Sequence, residues 1–184
     1  MSIELQQFIW PASFSCTVVT ENIIIPNSYN INISVEPISD LQGNIANGFK
    51  KIRYFVDNYL QDSIFISAEN VLLAPLSNLE TNVVIFPADP YDFFVGGVLL
   101  SKLRAISEKY FDISLITIDS AIGDHVQYCI IDPEECGLEL MGDNWWNTDS
   151  TNTGLDKNAS WEELNIKDRL GFEPRIIKGG RSEN

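Results

Sequence analysis

His125 is the only histidine of the chain, so any acid–base or nucleophilic centre built on imidazole must form around it. Cys129 follows four residues later, inside a segment that reads as a strand. A strand rises about 3.3 Å per residue, which sets the two side chains on one face but about 13 Å apart. The pair touches only where the strand breaks, and the imidazole is expected to be hydrogen-bonded or exposed. The three cysteines, Cys16, Cys129 and Cys136, show no Cys-x2-Cys spacing and read as reduced, mostly buried thiols. One histidine and three scattered cysteines do not make a zinc site. Residues 149–154, DSTNTG, imitate the start of a calcium-binding loop, but Ser160 stands where the bidentate glutamate belongs. Glu134 and Glu135 have the chemistry of an acid–base pair, in a chain so rich in carboxylates that such pairs arise by chance. Neither a phosphate-binding G-x-x-x-x-G-K-[ST] nor a dinucleotide-binding G-x-G-x-x-G is present. The residues therefore predict no catalytic group, no metal and no cofactor.

Trp145 and Trp146 stand in a polar, acidic stretch, and tryptophan is enriched where protein interfaces are tightest. One reading makes them partner anchors, together with Trp161, Asp132, Glu134, Glu135, Asp143 and Arg175. The other folds both indoles back over the protein's own core.

Charge is unevenly spread. The net charge is -14, from 26 acidic and 12 basic residues. Residues 1–109 hold 11 acids and 6 bases, residues 110–156 hold 10 acids and no base, and residues 157–184 hold 5 acids and 6 bases. Such a balance disfavours nucleic acid, whose affinity for proteins comes largely from lysine and arginine displacing counterions. It favours a basic protein partner, or self-association in which the base-containing tail folds onto the acidic surface of its own molecule or of a neighbouring copy. The bland alternative is that the acids serve solubility.

The elements that must position these residues are legible in outline. Residues 8–20 are aromatic and β-branched, and Tyr29, Ile31, Ile33 and Val35 alternate with Asn30, Asn32, Ser34 and Glu36. The two segments predict an antiparallel hairpin with one buried face. Residues 44–61 carry apolar side chains at helical spacing, with Asn44 placed to cap. Residues 63–67, 71–73 and 82–86 read as short strands. Asp89-Pro90-Tyr91-Asp92 reads as a helix start with Pro90 in the first helical position, followed by the stripe Val95, Leu99, Leu103, Ile106 and Tyr110. Gly96-Gly97 inside that helix predicts close packing on the sheet. Residues 112–119 and 125–131 form a second hairpin about Gly123-Asp124.

The fold expected is thus α+β: a mainly antiparallel sheet with two helices on one face. A core domain over residues 1–140 would carry an irregular, tryptophan-bearing arm over residues 141–184. With a hydrophobic content of 45%, no apolar run of membrane-spanning length and no basic-then-apolar leader, the expected setting is cytoplasmic. The leading function expected is a non-catalytic interaction protein (an assembly component, accessory or inhibitory subunit) that grips a protein partner through its acidic face and arm. Two rivals are a small enzyme using carboxylates or a divalent metal, and an acidic mimic of nucleic acid. The mimic requires carboxylates ranged along one surface.

Overall fold

The computed structural model describes residues 8–37, 42–142, 144–155 and 161. Six strands form one mixed sheet: β1 (Phe8–Val19), β2 (Ile24–Pro37), β3 (Ser63–Ser67), β4 (Val83–Phe86), β5 (Phe111–Ser120) and β6 (Tyr128–Ile130), in the order β4-β3-β1-β2-β5-β6. The helices are α1 (Gln42–Phe55), α2 (Leu73–Leu76) and α3 (Asp92–Ser107), with a π turn over Val56–Leu60 extending α1. The fold is α+β, and both expected hairpins form, β1 with β2 and β5 with β6. The sheet is mixed because β3 and β4 pair parallel, β3 beside β1 and β4 beside β3.

The alternation in β2 works as its period requires. Tyr29, Ile31, Ile33 and Val35 are buried against α1 and α3, while Asn30, Asn32 and Glu36 face away. On the outer face Asn30 donates to Asp119 at 3.0 Å and Asn32 to Thr117 at 3.2 Å, each pair directly opposite across β2 and β5. A second, smaller cluster of Val19, Ile64, Ile66 and Val83 lies under α2 and its flanking leucines.

α3 is buried on nearly every side. A Cβ on Gly96 would collide with Ile130 and meet Ile118 Cγ2 at 2.9 Å, so this glycine packs on the sheet as expected. A Cβ on Gly97 would meet Cys136 Sγ at 2.5 Å, on an adjoining face of the helix. After β6 the chain crosses the outside of α3 through 3-10 turns at Pro133–Cys136, Leu138–Met141 and Trp145–Asn147, and reaches the far edge of the sheet. There Ile85 donates its N–H to Thr153 O at 3.0 Å, Val84 bridges Gly154, and the Trp145 indole donates to Ile85 O at 2.7 Å. The segment 144–155 is therefore a strap that closes the open edge of β4.

Local expectations differ from the structure in four places. Residues 71–73 form no strand: Asn70 Oδ1 accepts from Leu72 N at 2.9 Å, and this turn leads into α2. α1 begins at Gln42, so Asn44 lies inside it. α3 begins at Asp92 because Tyr91 is extended; Pro90 and Asp89 precede the helix, and Asp89 does not cap it. β6 begins at Tyr128, because Asp124 and His125 both adopt left-handed φ values, 51° and 58°, in the turn before it. Nor does packing break at residue 140, since Trp145 and Trp146 belong to the main core.

Candidate interaction surface

Trp145 and Trp146, which the sequence singles out, belong to the main core. Trp145 is 6% and Trp146 1% exposed, and the two rings meet edge to face at 5.7 Å beside Phe86. They cover the core and offer no surface to a partner. Trp161 is partly buried, its indole donating to Asp149 O at 2.8 Å and its ring lying over Tyr54 and Lys51 of α1. Asp132 caps the turn at Pro133–Cys136 by accepting from Glu134 N at 3.0 Å, and Glu134 and Glu135 are exposed there. Asp143 and Arg175 lie outside the described residues.

What holds the strap is a residue the sequence reading passed over. Lys102 of α3 is fully buried, and its ammonium donates to the carbonyls of Trp145 at 2.9 Å, Thr148 at 2.8 Å and Ser150 at 2.5 Å. Three convergent acceptors suit the three N–H bonds of an ammonium. Burial pulls its pKa down from 10.5 to about 8, against the pull of the Asp149 carboxylate. Two residues further along α3, Arg104 spends its guanidinium in the same manner, on the carbonyls of Ile113, Ser114 and Ile131. Those carbonyls flank the β-bulge at Ser114, where β5 slips against β2.

The groups with catalytic potential are dispersed. Burial pushes the Cys16 thiol up to about 12, and Cys136 also lies above the ordinary thiol range because it is partly buried. Cys129 is exposed. His125 is exposed in its turn and pairs through Nδ1 with Asp119 at 3.1 Å. The Asn30 amide and then this imidazole hold the Asp119 carboxyl below its usual range. Among the described residues no three potential ligands converge to hold a metal ion. The acidic block, contiguous in sequence, is scattered in space. Asp112 lies at one end of β5, Asp119 and Asp124 at the other, Asp132 to Glu135 over α3, and Asp149 in the strap.

A more coherent surface lies at the end of the sheet where β1, β3, β4 and β5 terminate and β2 begins. Val71 is 88% exposed, Tyr91 66% and Ile24 61%, and Ile23, Ile122 and Val126 are exposed in the connecting turns at the same end. Glu21, Glu69 and Asp89 surround a cleft in this rim, whose apolar walls are Val71, Leu72, Pro87 and Ala88. The described lysines and arginines all lie in α1, in the second half of α3 or just after it.

Partly buried hydrogen bonds fix these turns. Asn27 Oδ1 accepts from Ser28 N at 2.9 Å and Ile122 N at 3.1 Å. Ser120 Oγ donates to Asp92 at 2.7 Å and accepts from Gly123 N at 3.0 Å. Gly123 leaves room for this approach, because a Cβ there would strike the Asp92 carboxylate. The arrangement can take up apolar groups on its rim and a cationic group in its cleft. Sequence patterning did not reveal it, because the side chains come from four separate turns. No protein-family model matches the chain, and a comparison with curated proteins finds no match.

Proposed function

We propose that the chain is a non-catalytic interaction protein that binds a basic, partly apolar protein surface with the turn-bearing end of its sheet. The observation that carries this reading is the rim itself: exposed Ile24, Val71 and Tyr91 at one end of the sheet, which also holds a cleft lined by Val71, Glu21, Glu69 and Asp89. Exposed apolar groups of this size that gather in one place commonly mark interaction sites. Carboxylates around them select a partner carrying lysine or arginine and repel acidic competitors. The reading moves the binding surface away from the tryptophans, which the core already uses.

Co-purification from the native source with quantitative mass spectrometry tests it. The unaltered chain should enrich a basic protein that the double variant Ile24→Glu/Val71→Glu recovers at least about tenfold less, the equivalent of about 1.4 kcal/mol. Glu134→Lys/Glu135→Lys, on a different surface, should leave recovery unchanged. Equal recovery by the rim variant, with its circular dichroism intact, would remove this surface from the function.

A further inference from the structure

The chain carries a segment whose chemistry matches the cleft. From Pro174 to Arg181 the sequence reads PRIIKGGR, with three bases and no carboxylate. Arg175 and Lys178 enclose two adjacent isoleucines, so cationic and apolar groups stand side by side, as carboxylates and apolar groups do in the cleft. The other base-bearing stretch after Trp161, residues 162–170 (EELNIKDRL), mixes its two bases with three acids and is charge-matched within itself.

Reach allows the contact within one molecule. Trp161 is held on α1 by Tyr54 and Lys51. The fourteen residue steps from Trp161 to Arg175 extend to about 46 Å at about 3.3 Å each, a little longer than the roughly 41 Å diameter of a sphere with the radius of gyration expected for a chain of this size. A tethered segment needs no second molecule, so its contact with the cleft is independent of protein concentration.

We infer that residues 175–178 of the same chain dock on the rim, with the side chain of Arg175 or Lys178 in the cleft beside Glu21, Glu69 and Asp89 and the isoleucines against Val71 and Ile24. The inference rests on the proposed interaction surface and names its resident occupant. An outside basic partner would have to displace the tail, so the tail sets the threshold at which that partner binds.

Carbodiimide coupling of the full chain, which joins a lysine amine to a neighbouring carboxylate, reads this directly. It is run on an equimolar mixture of 15N-labelled and unlabelled protein. Lys178 should couple to Glu21, Glu69 or Asp89 at least about fivefold more often than to the exposed Glu134 and Glu135, and within copies of one label. Arg175→Glu should lower that yield, and Glu69→Arg combined with Arg175→Glu should restore it. Coupling spread evenly over exposed acids overturns the inference. Products of which about half join a labelled to an unlabelled copy, the fraction that random pairing in an equimolar mixture gives, also overturn it, in favour of a second copy as occupant. Loss of tail coupling with partner recovery still sensitive to Ile24→Glu/Val71→Glu defeats the inference and leaves the interaction reading standing. Tail coupling with partner recovery indifferent to those substitutions defeats the interaction reading.

Discussion

Lys102 carries a charge where the helix around it is apolar, and its cost and its use have opposite dependence on protonation. The ammonium satisfies three carbonyls of the strap, while burial opposes the charge and lowers the pKa to about 8. In the unfolded chain the amine holds its proton to about 10.4. Between those two values the unfolded state binds more protons, so this residue makes stability rise with pH across that window, by roughly 3 kcal/mol at most. Lys102→Met should flatten that part of the stability–pH profile, measured by urea unfolding from pH 7 to 10. At pH 7 it should also speed hydrogen exchange over residues 145–151, whose carbonyls lose their donor. A profile identical to that of the unaltered chain would contradict this role. The signal was present in the sequence, since Lys102 stands three residues after Leu99 and four before Ile106, on the apolar stripe itself. Ordinary expectation for lysine hid it, because an ammonium is assigned to the solvent face unless its partners are known. The indoles of Trp145 and Trp146 were equally legible as core or as anchors, because only the position of β4 decides between the two.

At the level of elements, period and pairing range separate what could be read from what could not. β2 was legible because alternation needs only its own residues, and the body of α3 because its stripe repeats within one helix. The parallel pairing of β3 and β4 depends on contacts between distant segments, and no local pattern encodes it. Residues 71–73 look like a strand from their side chains, yet the turn made by the Asn70 side chain outweighs β propensity in so short a run. The glycine pair in α3 shows what the sheet demands of a helix. Gly96→Ala gains about 1 kcal/mol of helix propensity and forces a methyl into Ile130 and Ile118, an overpacking cost of about 1–3 kcal/mol. Net destabilisation of about 1 kcal/mol is expected, read as a lower urea midpoint with an unchanged slope. A higher midpoint would mean that α3 can shift outward against the crossing segment.

The whole molecule presents its charge differently from its sequence. A block of ten acids without a base suggested one acidic face, but its described members lie at both ends of β5, over α3 and in the strap. That dispersion removes support from a nucleic-acid mimic, which needs carboxylates in register, and it leaves the net charge of -14 as general self-repulsion. Salt screens such repulsion over a distance of about 10 Å at 0.1 M. Raising sodium chloride from about 20 mM to about 500 mM should therefore raise the melting temperature by about 2–4 °C, for a gain of about 1 kcal/mol in a chain of this size. A fall would show that attractive pairs outweigh the repulsion. Among the described residues no helix is long and apolar enough to cross a membrane.

The strap imposes an order on the protein's manufacture. Val84 leaves the ribosome about 70 residues before Gly154, the residue that bridges it, and at about 5–20 residues per second the interval lasts several seconds. Throughout that interval β4 has no neighbour on its outer side, and Lys102, once made, waits 43 residues for the first of its three carbonyls. The nascent chain must therefore be shielded, or diluted, at the margin that its mature form keeps shut.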